Sequence, residues 1–134
     1  MRWSARYSTG IQQIDEQHQM LFQMSEHYRE TLDAGEGAAV YGLMLESLDD
    51  YARGHFGIEE QCMFRYQCPA AGVNSAAHGH FLKAIGEFQE RFAAKGFHRA
   101  DARRLLDYID KWLSSHIGRI DTQLRKCLEA DAGN

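Results

Sequence analysis

The sequence predicts an all-α chain: an antiparallel up-down-up-down four-helix bundle with an extended N-terminal arm. Three observations point there. Apolar residues recur at helical spacing in four separate stretches. Proline occurs once, at Pro69, and runs of β-branched residues are absent. The connections between the stretches are short, which sets consecutive helices side by side and antiparallel.

The first ten residues read as an extended arm ending at Gly10. The first helix then carries Ile14, His18, Leu21, Phe22, Ser25, Tyr28 and Leu32 on one face, with Asp15 near its start and Gly35 and Gly37 at its end. A second helix is expected from about Ala38 to Tyr66, with Leu45, Leu48, Ala52, His55, Glu59, Cys62, Met63 and Tyr66 in its stripe. Cys68, Pro69 and Gly72 interrupt it. A third runs from about Asn74 to Lys95, turning His78, Phe81, Leu82, Ile85, Phe88 and Phe92 inward, and Gly96 stops it. The fourth runs from about Arg99 to Leu128, with Leu105, Ile109, Trp112, Leu113, His116, Ile117, Ile120 and Leu124 on its apolar face.

Length and charge narrow the function. The 134 residues suit a single domain over 1–134, with the arm over 1–12 and a polar tail over 129–134. That tail reads as a frayed end or as the first residues of a linker. A net charge of −4 and a pI near 5.9 argue against a nucleic-acid or anionic-membrane surface. No apolar run is long enough to span a bilayer. The N-terminus lacks the apolar centre of a signal peptide, so a cytoplasmic location is expected. In that setting the three cysteines, Cys62, Cys68 and Cys127, are expected to be free packing thiols.

The chemistry lies in where the histidines fall. Of seven, His18, His55, His78 and His116 sit in the apolar stripes, one per expected helix. A single histidine at such a place is usually a hydrogen-bonded core residue. Four on four converging faces are harder to explain that way, because each buried imidazole needs a polar partner and a metal supplies one. Glu59 stands four residues after His55, so both project from one face in adjacent turns. A carboxylate at a core position is costly without a counter-charge, and a cation relieves that cost. His116 and Asp121 are five apart, about 140° on a regular helix. Both reach one centre only if the helix ends, tightens or bulges near Gly118. Imidazoles mixed with carboxylates suit iron better than thiolate-seeking metals. Four histidines and two carboxylates exceed what one four-coordinate zinc needs, and two metals account for the excess. His27, His80 and His98 fall off these faces and read as solvated.

Four motifs then carry a resemblance. The N-terminal stretch has Trp3-Ser4, Gly10-Ile11, Ile14-Asp15-Glu16-Gln17-His18 and Leu21-Phe22. His55-Phe56-x-x-Glu59-Glu60-x-x-Met63, His78-x-x-Phe81 and Trp112-Leu113-x-x-His116-Ile117-x-x-x-Asp121 follow. In this order and spacing they make the chain similar to bacterial hemerythrins along nearly its whole length. The resemblance implies two non-haem iron ions joined by a bridging oxo or hydroxo group and by the carboxylates of Glu59 and Asp121. It implies that His18 and His55 serve one iron, while His78 and His116 serve another that keeps a position for O2.

The family's third histidine on that second iron should stand four residues before His78, where this chain has Asn74. Three readings of Asn74 are open: it caps the third helix, it hydrogen-bonds water or peroxide at the site, or it ligates iron through its amide oxygen. In each, one iron carries an extra water or an open position. Such a centre is expected to oxidise readily in O2 instead of releasing it intact, which favours oxygen or redox sensing over carriage. By helical phase the pocket walls are Leu21, Phe22, Phe56, Phe81, Trp112 and Ile117, with Gly118 widening the access route.

The leading reading is therefore a sensor module that binds O2, with NO, azide or peroxide as further ligands. A signalling output domain or partner protein would read its state. A reversible O2 carrier is the first alternative. A di-iron oxidase or peroxidase is the second, although the paired Glu-x-x-His motifs of ferritin-like oxygenases are missing. A metal-free structural bundle would have to satisfy Glu59 and Asp121 by other means.

Overall fold

The computed structural model describes residues 3–132. Met1 and Arg2 of the expected arm, and Gly133 and Asn134 of the expected tail, lie outside the described residues. Four long helices form the bundle: α1 (Gln12–Asp33), α2 (Gly37–Arg65), α3 (Ala71–Lys95) and α4 (Arg99–His116). A π-helical segment, Ile117–Asp121, follows α4 and leads into α5 (Gln123–Ala132). Each of α2 and α4 packs against both α1 and α3, the square arrangement of an up-down-up-down bundle. No strand occurs among the described residues, and none of their helices is long and apolar enough to cross a membrane.

The turns follow from local chemistry. Gly35 ends α1 at φ 82°, and the amides of Gly35 and Glu36 cap the carbonyls of Leu32 and Thr31. Gly37 then opens α2 so close to α1 that a Cβ there would lie 2.7 Å from the Leu32 side chain. Any larger residue would have to push the Leu32 side chain aside. At the next corner Gln67 takes a left-handed φ of 52°, and the Cys68 amide closes back on the Met63 carbonyl at 2.8 Å. Gly96, at φ 73°, ends α3.

The helices bury the stripes read from the sequence. Ile14, Phe22, Leu45, Phe81, Ile85, Leu105, Leu106, Ile109 and Leu113 are among the fully buried side chains. Truncating one of them, Leu105→Ala, costs about 2–5 kcal/mol. A second, smaller cluster of Ile14, Met63, Cys68, Ala70 and Leu124 closes the end of the bundle at the α2–α3 corner. The arm packs along the bundle: it carries a 3-10 turn at Ala5–Tyr7, and both Tyr7 and Thr9 are buried. The Asp15 carboxylate holds it by accepting bonds from the Thr9 amide, the Thr9 hydroxyl and the Ser8 hydroxyl, each at 2.8 Å.

Two expectations change. The third helix begins at Ala71, three residues before Asn74, with Ala70 at its cap. Cys68 and Cys127 are joined in a disulfide, and only Cys62 is free. The two bonded cysteines are 59 residues apart in sequence. They meet because α5 docks on the α2–α3 corner, which no spacing rule reveals.

Candidate metal centre

Each long helix delivers one imidazole to the middle of the bundle. His18 comes from α1, His55 from α2, His78 from α3 and His116 from the last residue of α4, and all four are buried. Glu59 follows His55 by one turn and is 0% exposed. Asp121 arrives through the π segment. The Thr122 amide bonds to the Ile117 carbonyl five residues back, at 3.1 Å. That wider turn absorbs one extra residue and brings Asp121 onto the face of His116. The irregularity expected near Gly118 is present.

The two carboxylates divide their oxygens between two histidine pairs. Glu59 Oε2 lies 2.9 Å from His18 Nε2 and 3.1 Å from His55 Nε2. Glu59 Oε1 lies 3.0 Å from His78 Nε2 and 3.9 Å from His116 Nε2. Asp121 repeats the division, with Oδ2 at 3.2 Å from His18 Nε2 and Oδ1 at 3.0 Å from His116 Nε2. Two groups able to hold a cation result, His18–His55–Glu59 and Glu59–His78–His116–Asp121, the donor atoms within each lying within 4.8 Å of one another.

This donor set fits bound metal better than it fits itself. Asp121 Oδ1 has no hydrogen-bond partner despite its nearness to His116. His78 and His116 point Nε2 atoms at each other across 3.1 Å. Burial opposes charge on every group here. At His18 and His116 that penalty is outweighed by the adjacent Asp121 and Glu59 carboxylates, so both imidazoles are raised to about 9. His55 is lowered, chiefly by burial. Burial works against the Glu59 carboxylate, yet the four surrounding imidazoles hold it well below the usual carboxylate range. Asp121 is pushed up by burial and by the Glu59 charge. Without a cation the cluster balances its charge with protons, and a cation would replace them.

Neighbouring groups orient the rings. His55 Nδ1 donates to Gln17 Oε1 at 2.7 Å, which leaves Nε2 as the lone-pair nitrogen facing inward. His78 Nδ1 lies 3.6 Å from Glu60 Oε1. Gln17 and Glu60 stand in the first and second motifs beside His18 and Glu59, and only the fold turns them toward these rings. Phe56 stacks on His78, with centroids 3.8 Å apart and planes 3° off parallel. Trp112 stacks on His116 at 4.3 Å, and Phe81 closes on Trp112 at 4.5 Å. Ile117 is buried beside them.

Leu21 and Phe22 are buried in the same core, but Phe22 stacks on Tyr7 at 5.6 Å. Gly118 is exposed and faces the Tyr7 ring, in an outer cleft with Arg6, Ser114, Ser115 and Arg119. It therefore does not widen a route to the histidines. The recess that reaches His116 is a different one, about 260 Å³, lined by Ala77, Trp112, Ser115, Arg119 and Ile120. His27, His80 and His98 are exposed, as expected.

Asn74 stands one turn before His78 on the inner face of α3. It is 0% exposed, and neither its amide nitrogen nor its oxygen has a partner. Because α3 starts at Ala71, Asn74 is not the helix cap.

A family model described as the hemerythrin HHE cation binding domain matches residues 9–128. A bacteriohemerythrin of Stenotrophomonas maltophilia is 30% identical over 115 residues, 86% of this chain and 72% of that protein. One of Pseudomonas aeruginosa PAO1 is 31% identical, covering 89% and 75%. One of Methylococcus capsulatus is 27% identical, covering 97% and 98%. A crystal structure of wild-type hemerythrin superposes with a TM-score of 0.81 at 26% identity, covering 96% of this chain and 97% of that one. With imidazoles from four helices around shared carboxylates, and a family match over most of its length, this chain belongs to the hemerythrins, non-haem iron domains that bind O2.

Proposed function

We infer that His18, His55, Glu59, His78, His116 and Asp121 hold two non-haem iron ions, joined by a bridging oxo or hydroxo group, and that the centre serves as an oxygen or redox sensor. The observation that carries this is the division of both carboxylates: each offers one oxygen to the His18 side and the other to the His116 side. A one-metal site has no need of two such carboxylates. When bound, the iron pair supplies reversible electron transfer to O2. The chain's own residues do the rest. Glu59 and Asp121 offset cationic charge in a buried place. Gln17 holds the His55 ring, and Phe56 and Trp112 cover His78 and His116 against water.

Asn74 decides between sensing and carriage in this reading. It stands where the family has a histidine, and its buried, unpartnered amide is suited to hydrogen-bond a small polar ligand or water there. One metal position is thereby left open to O2, NO, azide or peroxide. A water held by the Asn74 amide beside that position would supply a proton there, which would favour oxidation of bound iron over release of intact O2. A change of oxidation state would reach a partner protein or an output domain through small helix shifts, the usual motion of packed bundles.

The test has two parts. Protein purified without O2 is expected to carry two iron per chain, with a charge-transfer spectrum that changes on azide addition. The variant Glu59→Ala is expected to lose both. One iron or none in the wild type would remove the di-iron reading. Stopped-flow mixing of the reduced protein with O2 is expected to show oxidation within seconds to minutes. A protein that binds and releases O2 unchanged for hours would be a carrier instead.

A further inference from the structure

The second core cluster gathers all three cysteines at the bundle end nearest Asp121. Cys68 is buried in the α2–α3 corner, Cys127 is half-buried on α5, and their Cα atoms are 5.5 Å apart. Cys62, near the end of α2, packs on the same cluster with its thiol free. Helix α5 starts at Gln123, two residues after Asp121, and the Gln123 carbonyl faces Cys68 Sγ at 4.0 Å. Leu124, fully buried, plugs the same cluster beside Ile14 and Met63. The π segment that aims Asp121 is thus held at one end by α4 and at the other by this corner.

We propose that Cys68 and Cys127 form a reversible thiol–disulfide site, closed by hydrogen peroxide and opened by thiol reductants, which locks α5 to the α2–α3 corner and so steadies Asp121. The coupling to metal rests on the iron reading above; the thiol chemistry does not.

The step balances within the named reactants. Cys127 is the more accessible of the pair, so its thiolate attacks one peroxide oxygen. The O–O bond breaks, hydroxide leaves, and Cys127 becomes a sulfenic acid. Cys68 then attacks that sulfur, the S–O bond breaks and a second hydroxide leaves. The two sulfurs lose two electrons, the two peroxide oxygens gain them, and the two thiol protons complete two waters. In reverse, an external thiolate attacks Cys127 Sγ and releases Cys68, and a second external thiol clears the mixed disulfide. In a reducing compartment the pair rests as two thiols.

Cys62 is the internal control. In metal-free protein, alkylation and peptide mass mapping are expected to find three free thiols after reduction, Cys62 alone after peroxide, and three again after dithiothreitol. Persistence of three thiols under peroxide, pairing of Cys62, or irreversible sulfinic acid would overturn the site. Thermal melting of the metal-free protein reads the lock without iron. Reduction is expected to lower the midpoint by on the order of 10 °C, and an unchanged midpoint overturns the lock. In iron-loaded protein a chelator is expected to strip metal about tenfold faster from the reduced form. Cys127→Ser should match that faster rate with or without peroxide. Equal rates in the two redox forms overturn the link to Asp121. Failure of both redox forms to bind iron counts against the iron reading alone, because the thiol and melting results stand apart from it.

Discussion

His116 Nε2 faces His78 Nε2 across 3.1 Å, with a Glu59 oxygen 3.0 Å from His78 and an Asp121 oxygen 3.0 Å from His116. One proton between two such nitrogens makes one the donor and the other the acceptor; without it two lone pairs face each other, and a cation would relieve that repulsion. The arrangement is that of ligand atoms gathered around a common point, and it dictates how the site exchanges protons for metal.

That exchange sets the pH behaviour of the metal-free protein. His18 and His116 are raised to about 9 from 6.5. The folded state therefore holds more protons than the unfolded one between those values. Their stabilisation is complete below pH 6.5 and is lost as pH rises through 9. His55 is lowered, so its contribution is lost as pH falls below 6.5. Glu59, held low, adds stability that disappears only in stronger acid, and the raised Asp121 partly offsets it. Denaturant melts of chelator-treated protein are expected to show greatest stability near pH 6.5 and a decline towards pH 9. Metal addition near neutral pH should abolish that decline and release about two protons per chain, measurable in weakly buffered solution. A flat alkaline profile would contradict the assignment.

Deleting Gly118 should return the π segment to regular α-helical pitch and leave the Asp121 side chain four positions after His116, about 40° away and still on its face. Iron content is expected to hold, with far-UV circular dichroism nearly unchanged; a loss of half the iron or more would show that the π turn itself, and not the shared face, places Asp121. Gly118→Ala is the control. A Cβ there meets only the Tyr7 ring, at 3.5 Å, so stability should change by no more than about 1 kcal/mol and iron content should hold.

Asn74→His should restore the missing imidazole. Its buried, unpartnered amide marks a place where a side chain is already turned inward. Oxidation of the reduced iron form in air is expected to slow by about tenfold or more, followed by absorbance. An unchanged rate would show that Asn74 does not control the open position.

Gln17→Leu removes the acceptor that holds His55 Nδ1. Metal affinity is expected to fall about 10–100-fold, read by competition with a chromophoric chelator, while the melting profile of the metal-free protein moves little. Equal affinity would assign Gln17 to packing alone.

The sequence by itself determined the helical class, four inward stripes, and which histidines leave the solvent. Period and polarity are local properties, and a helix of known pitch projects them onto faces without knowledge of its neighbours. The five-residue gap from His116 to Asp121 asked for an end, a tightening or a bulge near Gly118 if both were to share a centre, and the fold chose the bulge at Ile117–Asp121. Tertiary structure alone decided the rest. Glu59 divides its oxygens because α1, α2, α3 and α4 converge on it from four sides. Asn74 became a buried, unpartnered amide because α3 starts at Ala71, a boundary set by how the α2–α3 corner packs. Gly118 faces outward because a π turn rotates its neighbours, and Cys68 meets Cys127 because α5 folds back on that corner. Each of these depends on contacts between residues far apart in the chain, and such contacts leave no periodic trace in it.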